Sequence, residues 1–168
     1  MTPRMFGVVA ALAIATVQIG AAQAGINQRN TIAKARIGGS PNNRDGGYES
    51  TGVSGVCGEI PKEASLTGTA VFVVEFPSDA PKGPITAIAF GSTELVSGVT
   101  KATVFRLSIG VVTAKGGRPP DFVLNTDDSR QPKNSGTATL TNNKGETTLR
   151  VIGQNDMGET IDLTVVCT

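Results

Sequence analysis

Residues 137–168 read TATLTNNKGETTLRVIGQNDMGETIDLTVVCT. Thr137 to Thr141 alternates Ala138 and Leu140 with threonine, and Asn142-Asn143-Lys144-Gly145 then offers a turn in which Asn and Gly tolerate positive φ. Glu146 to Ile152 returns, Gln154 to Gly158 turns again, and the last run sets Ile161, Leu163, Val165 and Cys167 on one face. Alternation of this kind directs one face to a core and the other to solvent. The stretch predicts a three-strand antiparallel meander whose final cysteine points where the core residues point.

The same pattern extends towards the N-terminus as far as Val53. Short runs of Val, Ile, Thr and Phe are broken every 8–14 residues by Gly, Pro, Asn or Asp, the signature of an all-β sandwich or barrel. Leu66 to Phe76 alternates up to Pro77, and Ala102 to Thr113 sets Phe105, Leu107, Ile109 and Val111 on one face with Arg106 and Ser108 on the other. Ile85 to Val96 is less regular and reads as two short strands around Gly91-Ser92. Phe122-Val123-Leu124, just after Pro119-Pro120, suits an edge strand or a crossover. The fold class expected is a single antiparallel β-sandwich over residues 53–168, Ig-like in the loose architectural sense, with about seven strands.

Residues 25–52 differ in composition. Gly, Asn, Ser and Pro dominate and apolar residues are sparse, which predicts a flexible leader ahead of the sandwich. Residues 1–24 read as an export signal of bacterial type: Arg4 supplies the positive region, Met5 to Val17 is an uncharged apolar run, and Ala22-Gln23-Ala24 is a small-x-small cleavage site. The run is shorter than the roughly 20 residues that a membrane span needs. Cleavage after Ala24 would deliver the chain to the periplasm or the medium, with no membrane span after processing.

In an exported chain the two cysteines, Cys57 and Cys167, most simply form one disulfide, tying the region before the first strand to the last strand. Structural zinc wants four ligands, and the chain offers two thiolates and no imidazole. Closing a loop of about 111 residues constrains the unfolded chain by roughly 4–5 kcal/mol on the entropic account.

The whole chain has 168 residues, 17% of them charged and 4% aromatic, with 21 Gly, 9 Pro and no His or Trp. The charged fraction lies well below the usual value of about 25%, which excludes a coiled coil or a polybasic nucleic-acid binder. Lack of histidine excludes a Ser-His-Asp triad, a Cys-His pair and any imidazole metal site. Once Arg4 is removed the charges balance at zero, and no basic groove with interleaved aromatics exists to hold single-stranded nucleic acid.

Signals for chemistry are weak. Gly52-Val53-Ser54-Gly55 is not a nucleophile elbow, and Ser129 with Lys133 lies in a polar loop rather than a buried dyad. Asp127-Asp128, with Asp121 nearby, is the obvious carboxylate pair for histidine-free glycoside hydrolysis. Two oxygen-rich loops, Asp121/Asn125/Asp127/Asp128 and Asn155/Asp156/Glu159, could offer ligands to calcium, although turn-forming Asn and Asp explain the same residues. For recognition, Lys115-Gly116-Gly117-Arg118-Pro119-Pro120 is a basic loop that could meet an acidic partner. Tyr48, the one tyrosine, could anchor the leader or touch a partner.

The expectation is therefore an exported, non-catalytic module, without cofactor, that binds another protein in the cell envelope or outside the cell through an edge strand or loop. The alternative is a structural subunit of a surface polymer, with self-association through a donated leader strand. A hydrolase using Asp or Glu comes third.

Overall fold

The computed structural model describes residues 28–77, 80–127 and 133–168; the export signal read over 1–24 lies outside these residues. The first sheet holds six strands: β1 (Arg29–Gly38), β2 (Gly46–Ser54), β6 (Lys101–Ala102), β9 (Ser135–Asn143), β10 (Glu146–Gln154) and β11 (Thr160–Cys167), in the order β2-β1-β11-β10-β9-β6. The second holds five: β3 (Val56–Ile60), β4 (Val71–Phe76), β5 (Ile85–Ser92), β7 (Arg106–Val111) and β8 (Phe122–Asn125), in the order β3-β4-β5-β7-β8. Every pairing is antiparallel. The two sheets pack face to face as the expected sandwich.

The C-terminal meander is β9-β10-β11, with Lys144 and Gly145 at positive φ in the first turn and Gly158 in the second. Ile161, Leu163, Val165 and Cys167 are all buried. The second sheet contributes Phe72, Val74 and Phe76 from β4, Ile88 and Phe90 from β5, and Leu107 and Ile109 from β7 to the same core. The rings of Phe72 and Phe90 meet edge-on at 6.4 Å, and those of Phe90 and Phe105 lie 5.7 Å apart. Each such side chain stabilises the fold by about 1.5–3 kcal/mol through removal from water.

Several expectations need correction. The segment read as a flexible leader supplies two strands, so the described sandwich starts near residue 29 rather than 53 and has eleven strands rather than about seven. β1 lies inside the sheet, paired with β11 on one side and β2 on the other. Its inward residues are Thr31, Ala33, Ala35 and Ile37, an alternation built from small side chains that looks like poverty in apolar residues. Two full backbone ladders hold the strand where side-chain area is modest.

Cys57 does not precede the first strand. It lies in β3, at the edge of the five-stranded sheet, and its disulfide to Cys167 in β11 joins the two sheets at a Cα–Cα distance of 6.6 Å. Only Val71–Phe76 of the run from Leu66 is strand, because the chain turns at Gly68 (φ +67°) and leaves Leu66 fully exposed. Ile85–Ser92 is one strand with a register shift between Ile85 and Ala87. The run from Ala102 crosses from β6 in one sheet to β7 in the other. β8 is an edge strand, as its position after two prolines suggests.

The sheets approach each other closely at a glycine pair. Gly153 and Gly136 face each other across β10 and β9, and a Cβ on Gly153 would lie 2.5 Å from Leu124 Cδ2 and 2.7 Å from the Ser135 carbonyl.

Candidate functional site

The β1–β2 turn, the first residues of β2, the segment before β5 and the β7–β8 loop enclose an open groove of about 1010 Å³. Its lining includes Asp45, Tyr48, Pro84, Val112, Lys115, Arg118 and Pro119. The three residues singled out for recognition, Tyr48, Lys115 and Arg118, therefore meet in one place although Tyr48 is far from the others in sequence.

Beneath the groove lies a buried ion pair that sequence reasoning missed. Arg44 and Glu159 have wholly buried side chains. Arg44 donates through Nε to Glu159 Oε1 at 3.0 Å and through Nη2 to Oε2 at 2.5 Å, and through Nη1 to the Pro120 carbonyl. The guanidinium stands over the Phe122 ring, 5.8 Å from its centroid. Glu159 also accepts from Ser40 Oγ at 2.5 Å and from Asn155 Nδ2 at 2.7 Å. One cation thus ties the β1–β2 turn to the β10–β11 turn and to the β7–β8 loop. Burial pushes the Glu159 carboxyl up. Hydrogen bonds from Arg44, Ser40 and Asn155, with the charge of Arg44, outweigh that and hold it below the ordinary carboxylate range. Arg44 sits among Gly, Asn and Pro, and its partner lies 115 residues away, so no local pattern marks the pair.

Tyr48 forms the groove's inner wall. Its hydroxyl donates to the Arg44 carbonyl at 2.7 Å, a bond within the β1–β2 segment that braces the turn carrying Arg44. Burial raises its pKa, the Asp45 charge adds to the rise, and Arg44 opposes it. Asp45 itself accepts from the Ser40 N–H at 2.7 Å. At the groove floor the chain passes across β2 with Gly83 at φ +133°, where a Cβ would come within 2.4 Å of the Glu49 carbonyl.

The basic loop is not slack. Val112 N–H donates to the Pro84 carbonyl at 2.7 Å, Thr113 N–H to the Gly117 carbonyl at 2.8 Å, and Gly116 N–H back to the Thr113 carbonyl at 2.8 Å. This turn lifts Lys115 to its tip. Lys115 and Arg118 are exposed, and among the described residues neither has an ion pair or a side-chain hydrogen bond.

The other candidate residues are dispersed. Asp121 lies just before β8 and Asn125 at its end, about 13 Å apart at strand rise, so they do not form one ligand cluster. Asp127 is exposed, its N–H bonded to Asn125 Oδ1, and Lys133 is exposed; Asp128 and Ser129 lie outside the described residues. Asn155 and Glu159 are buried and engaged with the turn and with Arg44. Ser54 is buried with its Oγ 2.6 Å from Thr31 Oγ1.

No family model, curated protein or solved structure matches this chain.

Proposed function

We propose that the chain is an exported, non-catalytic β-sandwich module that binds another protein, in the cell envelope or outside the cell, through the groove between Tyr48 and the Lys115–Arg118 loop. The observation that carries this reading is the pair of exposed cations on the rim of a groove whose walls are apolar at Val112, Pro84 and Pro119. An apolar centre with charge at its rim is the usual anatomy of a protein-recognition site. The cations select an acidic, extended segment as the partner's contact. The firm hydrogen-bonded loop and the Arg44–Glu159 tie reduce the entropy lost on binding. Export is supported by the disulfide, which needs an oxidising compartment, and by the signal read over residues 1–24. Among the described residues no helix is long and apolar enough to cross a membrane.

A polymer subunit of the kind weighed above would need a loose leader that a neighbour could capture. Residues 29–38 instead occupy the interior of the chain's own sheet.

A photo-crosslinking residue at position 118, expressed in the producing cell, tests the proposal. A discrete adduct at 118 that is lost with Lys115→Glu, and is not formed from position 139 on the opposite sheet, supports it. Equal labelling from both positions, or none, contradicts it. Intact mass of the exported chain should correspond to residues 25–168 and be two hydrogens lighter than the reduced form.

A further inference from the structure

The outer faces of the two sheets differ in kind. On the six-stranded sheet the outward residues include Lys34, Arg36, Glu49, Glu146, Arg150 and Asp162, with Lys34 paired to Glu49 at 3.2 Å and Arg150 to Asp162 at 2.9 Å. That is the ordinary solvated face of an antiparallel sheet. On the five-stranded sheet, the register places Val56, Glu75, Ala89, Ser108 and Val123 in one row across all five strands. Gly58, Val73, Gly91, Arg106 and Asn125 form the next. Glu75 and Arg106 are the only charges in these two rows. Both are exposed, and among the described residues neither side chain has an ion pair or a hydrogen bond.

We infer that this face is where two copies of the chain meet around a two-fold axis. Glu75 is in β4 and Arg106 in β7, two strands apart and one row apart, so their Cα atoms are about 12 Å from each other on ordinary strand spacing. They do not reach each other within one chain. Their midpoint falls on β5 between Ala89 and Gly91, the smallest residues of the two rows. A two-fold axis lying in the interface through that midpoint, perpendicular to the line joining the charges, sets Glu75 of each copy against Arg106 of the other. One operation pairs both of these charges twice, as an isologous contact requires, while the third charge of the face, Asp121 at 3.5 Å from Ser108 Oγ, stays at its rim without an opposite partner. Over Gly91 a Cβ would meet nothing within 4 Å, so the centre of the face is open to Val73 of the second copy.

The contact is modest. Five strands by about five residues cover a plane of roughly 400 Å² per copy, about 800 Å² in all, which is below the roughly 1,200 Å² of a stable specific interface and in the range of a weak, transient contact. The dimer is therefore reversible and depends on concentration. The test reads self-association alone, with no peptide present, so the inference stands or falls separately from the proposed binding function.

Sedimentation velocity on the purified oxidised chain, from micromolar to millimolar concentration, gives the test. Three proteins are compared: the natural chain, Glu75→Arg and Arg106→Glu, together with an equimolar mixture of the two variants. The natural chain should form a reversible dimer that weakens with added salt. Each variant alone places like charges opposite each other twice, and its dissociation constant should rise about tenfold or more. The mixture should recover the dimer, because the two arginines of a Glu75→Arg copy then face the two carboxylates of an Arg106→Glu copy; that recovery also shows both variants to be folded. A natural chain that stays monomeric over the whole range overturns the inference, including the case where a different protein covers this face. So do variants that dimerise like the natural chain, or a mixture that behaves like its separate components.

Discussion

Arg44 and Glu159, 115 residues apart in sequence, form a two-point ion pair with neither side chain reached by solvent. Taking two charges out of water is costly, and the pair survives because other groups complete its hydrogen bonding: Ser40 and Asn155 on the carboxylate, Pro120 on the guanidinium. Removing one member strands the other. Glu159→Gln or Arg44→Met should each lower unfolding stability by about 3–5 kcal/mol, and the double variant should lose less than the sum of the two. Urea unfolding of the four proteins measures this directly.

The same carboxyl sets an acid limit. Its pKa in the folded chain is below the ordinary 4.5, so on unfolding it takes up protons in the interval between the two values. Its contribution is complete above about pH 4.5 and is lost as pH falls through the folded value. Asp162, held down first by its hydrogen bond from Arg150, and Glu94, held down by the N–H groups of Val104 and Thr103, act in the same direction. Melting temperature should therefore fall below about pH 4.5 in the natural chain, and fall less steeply in Glu159→Gln.

Reduction of Cys57–Cys167 frees a loop of sequence separation 110 in the unfolded state. A loss of about 4–5 kcal/mol is expected on the entropic account, with the folded sandwich otherwise unchanged. Comparing denaturant midpoints with and without reductant checks it.

Inclusion of β1 in the sheet has a signature in hydrogen exchange. Amides of Ala33 and Ala35 should be protected to the same degree as those of Val165 and Leu163, their cross-strand partners. Rapid exchange over 29–38 with slow exchange in β11 would restore the leader reading.

The meander and the shared face of Phe105, Leu107, Ile109 and Val111 were legible because alternation with large residues is strong local information. The disulfide was legible because two cysteines, in a chain whose first 24 residues read as an export signal, leave little choice. β1 was not, since Thr31, Ala33 and Ala35 carry the same alternation with side chains too small to stand out. Tyr48, Lys115 and Arg118 could be named one by one from the sequence. Their meeting in one groove depends on the β1–β2 turn being tied down by Arg44, a contact set wholly by tertiary structure.

Binding of an acidic segment in the groove is tested most directly by an amide-resolved NMR titration of the oxidised chain at low salt. An extended acidic peptide is compared with a basic peptide of equal length. Shifts should be confined to residues around Tyr48, Val112, Lys115 and Arg118 and appear with the acidic peptide only. Affinity should fall about tenfold or more in a Lys115→Glu/Arg118→Glu double variant. Shifts scattered over the surface, shifts equal for both peptides, or binding indifferent to the double variant would contradict it.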